Sequence, residues 1–129
     1  MTLVVDASLI AGLLLPDEQG IAPELLAADE LVAPWLLWAE LRNILIVNER
    51  RGRLAPGLAE QMLDAVKALG IGLDTRPAEA SVLQLARRHR LTIYDALYLE
   101  LALRSGARLG THDTALRVAA GQEAVGIVG

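Results

Sequence analysis

Leu3-Val4-Val5-Asp6-Ala7-Ser8 is the stretch whose reading decides the fold. Leu3, Val4 and Val5 form an apolar run with two β-branched members, the pattern of a strand buried on both faces over residues 2–6. The acid that closes the run and the serine two residues later mark a change of structure. Both residue types satisfy the free N–H groups of a helix's first turn. The pattern predicts a helix over residues 8–15, stopped by Pro16. A buried strand passing directly into a helix is the opening unit of an α/β fold.

Outward from that unit the alternation continues. A short helix is expected near residues 22–28 and a short strand over 30–33. A long helix over 34–50 starts on Pro34, which suits a first turn, and Gly52 suits its stop. The next helix, over 56–70, carries Leu58, Met62, Ala65, Val66 and Leu69 on one face. Residues 71–74 read as a strand and 77–89 as a helix, with Val82, Leu85 and Ala86 inward. A helix over 92–103 ends before Gly106. A strand over 108–111, a helix over 113–120 and a last strand over 125–128 complete the chain. Alternating strands and helices predict a parallel sheet covered on both faces. No repeat, linker or low-complexity tract divides residues 1–129, so a single domain is expected.

Composition narrows the chemistry. The chain has no cysteine, which excludes disulfides and thiolate metal sites. Any metal would be held by oxygen, or at most by one of the two histidines, His89 and His112. Oxygen-rich sites favour Mg²⁺, Mn²⁺ or Ca²⁺. The net charge of −4 argues against binding nucleic acid by bulk charge. Eleven of the twelve basic residues are arginine, grouped at Arg50-Arg51-Arg53 and Arg87-Arg88-Arg90. Arginine binds phosphate bidentately, and the alternative for either group is a solvated helix end. The apolar start carries Asp6 and no basic residue ahead of it, and no apolar run reaches the ~18 residues of a membrane span. The expectation is therefore a cytoplasmic protein with neither signal peptide nor membrane contact. The chain is still 53% hydrophobic with a mean hydropathy of +0.39, which suggests that part of its surface meets another chain.

Four acids stand in specific contexts: Asp6 after the first strand, Glu40 in Pro34-Trp35-Leu36-Leu37-Trp38-Ala39-Glu40, Asp95 in Thr92-Ile93-Tyr94-Asp95-Ala96, and Asp113 in Gly110-Thr111-His112-Asp113. Each has a bland explanation. Asp6 caps the first helix, although Ser8 serves equally well. Glu40 lies on a narrow exposed stripe with Asn43 and Arg42, or is an acid among apolar neighbours with Asn43 as its orienting partner. Thr92 through Asp95 matches a capping box. Asp113 benefits from the macrodipole at a helix start, with Thr111 the more natural cap. Together they have a second explanation. Ligands of open parallel sheets bind outside the carboxyl ends of the strands. Two carboxylates about 4 Å apart repel by roughly 4 kcal/mol at an effective dielectric near 20, and a hard divalent cation removes that repulsion.

With these residues in view, the whole chain from Leu3 onward resembles a PIN domain, and within that group a VapC-type toxin of a toxin–antitoxin pair. Val5-Asp6-Ala7-Ser8 is similar to the first acidic motif and residues 34–43 to the second. The most specific match is Thr92-Ile93-Tyr94-Asp95-Ala96-Leu97-Tyr98-Leu99-Glu100-Leu101-Ala102. Leu109-Gly110-Thr111-His112-Asp113 resembles the fourth, with His112 a departure from the usual small or variable residue. The resemblance implies a three-layer α/β/α sandwich with a central parallel sheet. It also implies a metal-dependent endoribonuclease that leaves a 5′-phosphate and a 3′-hydroxyl. Asp6, Glu40, Asp95 and Asp113 would be the catalytic set and would hold Mg²⁺ or Mn²⁺, with Ser8, Asn43, Thr92 and Thr111 supporting metal or substrate. RNA is the implied substrate, Arg50, Arg51 and Arg53 candidate contacts to it. A homodimer and a VapB-like antitoxin are the implied partners. His112 is expected to be an exposed loop residue.

Three competing readings are weighed against this one. A Ser/His/Asp or Cys/His nucleophile set is not assembled from two histidines without a visible relay and no cysteine. A phospho-acceptor receiver domain needs a lysine after a late strand, and the sole lysine, Lys67, falls inside a predicted helix. A catalytically silent PIN-fold protein-binding module is the remaining alternative, although all four acids are present.

Overall fold

The computed structural model describes residues 1–15 and 30–129. The stop at Pro16 and the helix expected near residues 22–28 lie outside the described residues. Five strands alternate with helices: β1 (Thr2–Val5), β2 (Glu30–Pro34), β3 (Gly72–Asp74), β4 (Arg108–Gly110) and β5 (Ile127–Val128). They form one parallel sheet in the order β3-β2-β1-β4-β5. β1 is central, so Leu3, Val4 and Val5 are fully buried, as a run without polar alternation requires.

The described helices are α1 (Ala7–Leu14), α2 (Leu37–Arg50), α3 (Leu58–Ala68), α4 (Glu79–His89), α5 (Ile93–Ser105) and α6 (Thr114–Gln122). α1 packs on α2 and α2 on α3, while α4 packs on α5 and α5 on α6. The sheet lies between helical layers, as expected. α5 covers β1, β2 and β4 and buries every residue from Ala96 to Ala102. Each large apolar side chain buried there contributes about 1.5–3 kcal/mol, which is why this helix carries no polar stripe.

The chain steps from β1 out to β2 and β3, then returns to β4 on the other side of β1. The C-terminal ends of β1 and β4 are therefore the switch point of the sheet, where such folds open a crevice. α1 crosses that point closely. A Cβ on Gly110 would stand 2.5 Å from Leu9 Cδ2, and Leu9 is fully buried. Any side chain at this position would have to displace the buried tip of Leu9, and the Gly110 carbonyl accepts the Asp6 N–H (3.1 Å).

Two expected elements are displaced. Pro34 ends β2 instead of opening the long helix. It pairs with Asp74, the next residue's N–H bonds the Asp74 carbonyl at 2.9 Å, and α2 begins only at Leu37. Proline's fixed φ suits either position, and the β3 pairing decides. α3 is rotated relative to expectation: Leu58, Ala59, Met62, Leu63 and Val66 face inward, while Ala65 and Leu69 are exposed. The sequence offers apolar residues on two overlapping stripes, and packing against α2 selects one.

Candidate metal centre

Four carboxylates gather at the switch point, each delivered by the start of a helix. Asp6 is the N-cap of α1, and its Oδ1 accepts the Leu9 N–H (2.9 Å) and the Ser8 hydroxyl (2.7 Å). Its Oδ2 accepts the Thr111 hydroxyl from beyond β4. Asp6 thus caps the helix and stands in the site at once, and Ser8 serves Asp6 rather than replacing it. Burial raises the Asp6 pKa, the three hydrogen bonds draw it back, and the charge of Asp113 adds to the rise.

Glu40 lies in the first turn of α2, half-buried, and its Oε1 accepts the Tyr98 hydroxyl at 2.7 Å. Its pKa is raised by burial, lowered by the Tyr98 bond, and raised again by the charges of Asp6 and Asp95. Asp95 lies in the first turn of α5, whose N-cap Thr92 accepts the Asp95 N–H on its hydroxyl (3.1 Å). The Asp95 pKa is raised by burial, then by Asp113 and Asp6, against a lowering contact with Thr92. Asp113 caps α6, taking the Leu116 N–H on Oδ1 at 2.8 Å, and its own N–H bonds the Thr111 hydroxyl at 3.0 Å. Asp113 itself, and not the expected Thr111, is the cap of α6. Capping explains part of Asp6 and Asp113, but not why four acids share one field.

Among the described residues no basic side chain forms an ion pair with any of the four. Among the described residues no three Asp, Glu or His side chains stand close enough together to hold one metal ion as they are placed. The chemistry of the donor set is that of a hard divalent cation's ligands: all oxygen, and acidic side chains that raise one another's pKa. Mg²⁺ favours one or two carboxylates plus waters over an all-protein cage.

The other named positions divide. Thr111 is fully buried and Ser8 half-buried, and both touch Asp6. Thr92 is exposed at the head of α5. Asn43 is exposed on α2, and the partner of Glu40 is Tyr98 instead. Arg50, Arg51 and Arg53 are exposed at the far end of α2, about 15 Å along the axis from Glu40. His112 corrects its expectation: it is half-buried, its Nε2 has no hydrogen-bond partner among the described residues, and its backbone N–H bonds Ser8 Oγ at 3.0 Å.

Two acids and a phenol escaped the sequence reading. Tyr98 is three residues after Asp95 and therefore on the same face of α5, a spacing the sequence did carry. Glu100 is 2% exposed and holds Arg104 (2.7 and 3.1 Å) and the Ala78 N–H (2.9 Å). Arg104 also grips Asp74 with two bonds (2.7 and 3.2 Å), so Asp74 is a structural anchor at the end of β3.

A parallel α/β/α sandwich with an acidic crevice at its switch point defines a class, and comparison with known proteins places the chain within it. Residues 3–122 match the PIN domain family. The chain is 37% identical over 126 residues to ribonuclease VapC3 of Pyrobaculum aerophilum, covering 90% of this chain and 92% of that one. The crystal structure of PAE2754 from Pyrobaculum aerophilum superposes with a TM-score of 0.75 at 29% identity, over 92% of this chain and 87% of the other. FitAcB from Neisseria gonorrhoeae has the same fold, with a TM-score of 0.67 at 20% identity over 98% and 96% of the two chains. The chain belongs to the PIN domain family.

Proposed function

We propose that this protein is a divalent-metal-dependent endoribonuclease and the toxin of a toxin–antitoxin pair. The observation that carries the reading is the convergence of Asp6, Glu40, Asp95 and Asp113 on one crevice without a counter-cation among the described residues. Family membership and the similarity to ribonuclease VapC3 support it.

In this reading the four acids hold Mg²⁺ or Mn²⁺. When bound, the ion lowers the pKa of a water and steadies the leaving oxygen of an in-line displacement at phosphorus. The side chains supply the rest. Asp6 is the fixed anchor, because donors occupy both of its oxygens. Asp113 is held by its helix cap. Thr111 joins the two, donating to Asp6 and accepting from the Asp113 backbone. Water adds to phosphorus as the bond to the 3′ oxygen breaks, giving a 5′-phosphate and a 3′-hydroxyl. Arg50, Arg51 and Arg53 would contact phosphates of a longer RNA strand and contribute to binding, not to bond breaking.

The partners proposed are a second copy of the chain and a small VapB-like antitoxin. α2 leaves Trp38 58% and Ile46 37% exposed, an apolar surface suited to an amphipathic segment. The acidic crevice suits an arginine reaching from such a partner toward Asp6 and Asp95.

RNA cleavage assays with Mg²⁺, Mn²⁺ and EDTA test the activity. Cleavage is expected with either ion and none with chelator, and Asp6→Asn or Asp95→Asn abolishes it while circular dichroism stays that of the folded protein. A folded variant with full activity overturns the assignment. A wild type that cleaves no RNA but binds an antitoxin peptide identifies a binding module instead.

A further inference from the structure

Tyr98 is among the largest side chains the fold buries completely, at 1% exposure. A phenol hydroxyl in such a place needs a partner, since an unsatisfied buried hydroxyl costs about 1–3 kcal/mol. Its partner is Glu40 Oε1 at 2.7 Å, on a helix that precedes it by 58 positions. The phenol also lies near enough to Asp6 and Asp95 to feel their charge. Burial and these carboxylates push its pKa far above the ordinary value, which keeps the O–H a donor.

Glu40 is otherwise loosely held. It is half-buried, among the described residues it makes no second hydrogen bond, and it sits beside two like charges. Asp6 and Asp113 are fixed by backbone N–H groups, and Glu40, on a longer side chain, is not. Left alone, it would swing toward solvent and away from Asp6 and Asp95. The same helix that presents Asp95 therefore places a donor one turn deeper to hold the second acid.

We propose that Tyr98 is a positioning residue of the acidic centre: its hydroxyl fixes the rotamer of Glu40 from beneath, so that Glu40 faces a divalent cation together with Asp6 and Asp95. The inference rests on the metal-dependent reading of the site. Residues that orient metal ligands alter affinity about 10- to 100-fold when removed.

The test is Mn²⁺ binding to the full chain, followed by electron paramagnetic resonance. Tyr98→Phe keeps the ring and is expected to raise the Mn²⁺ concentration for half-saturation about 10-fold or more. The same change made in Glu40→Gln is expected to have little further effect on Mn²⁺ binding, because the carboxylate that Tyr98 positions is gone. Tyr94→Phe, on a side chain 63% exposed, serves as control and binds as wild type. The chain has two tyrosines, so Tyr94→Phe also leaves Tyr98 as the sole phenol. Mg²⁺ is then expected to shift the nuclear magnetic resonance signals of ring-labelled Tyr98, a readout that does not require Tyr98→Phe to fold. Equal Mn²⁺ affinity in Tyr98→Phe and wild type, additive losses with Glu40→Gln, or a Tyr98 spectrum indifferent to Mg²⁺ each overturn the inference and leave the nuclease reading standing. A wild type that binds no Mn²⁺ overturns both.

Discussion

Thr111 and Asp6 are 105 positions apart in sequence and joined by a direct hydrogen bond at the switch point of the sheet, donor Thr111 Oγ1 and acceptor Asp6 Oδ2. The contact exists because β4 pairs with β1 in parallel, Val5 opposite Gly110, so the residues just beyond both strands meet. Thr111 is fully buried and Asp6 nearly so. Thr111→Val preserves shape and removes the donor. It is expected to destabilise the metal-free protein by about 1–3 kcal/mol, read from urea unfolding. A loss below about 0.5 kcal/mol would show that water replaces the hydroxyl.

The metal-free site makes stability depend on pH. Asp6, Glu40 and Asp95 all have pKa values raised in the fold, chiefly by burial. A raised carboxylate binds its proton more tightly folded than unfolded. Its contribution is favourable below the unfolded value and is lost as pH rises through the folded one. Asp74 runs the other way, since Arg104 lowers its pKa, and its contribution is lost on acidification. Asp95→Asn is therefore expected to flatten the fall in melting temperature as pH climbs above the ordinary carboxylate range. A variant curve parallel to wild type through that window would mean that Asp95 carries no burial penalty.

Asp113→Asn separates capping from charge. Asparagine caps a helix about as well as aspartate, so α6 keeps its start. The metal-free variant is expected to be as stable as wild type or more so, having lost one repelling charge. Mg²⁺ should then raise the melting temperature of wild type further than that of the variant. Equal Mg²⁺ shifts in differential scanning fluorimetry would remove Asp113 from the ligand set.

Arg104 joins Glu100 to Asp74 and so ties α5 to the end of β3. Glu100 is almost fully buried and, without Arg104, keeps only the Ala78 N–H. Arg104→Met is expected to cost about 3 kcal/mol, the low end for a buried pair broken from one side, because water reaches the half-open arginine. Glu100→Gln in the same background should recover part of the loss. No recovery in a denaturation series would place the cost in lost arginine packing instead.

Most elements were legible because their signals are local. The run Leu3-Val4-Val5 reads as a buried strand, and Thr92 ahead of a continuous apolar stretch reads as the cap of a buried helix. Where a residue suited two structures, the sequence could not choose. Pro34 fits a strand end and a helix start, and pairing with Asp74 selected the strand. The partners of Glu40 were ambiguous for the same reason. Asn43 is close in sequence, yet the donor comes from Tyr98 on another helix.

The sequence by itself determined the order of elements, the absence of thiolate ligands from any metal site and the four acids that could form one. These follow from composition and from interactions within a turn or two of chain. Tertiary structure alone decided which acids share a field, that Thr111 joins the neighbours Ser8 and Leu9 in holding Asp6, and that Tyr98 bonds Glu40. Those outcomes depend on strand order and on which helix face meets the sheet. Both are set by burial summed over the whole chain, which no short stretch of sequence contains.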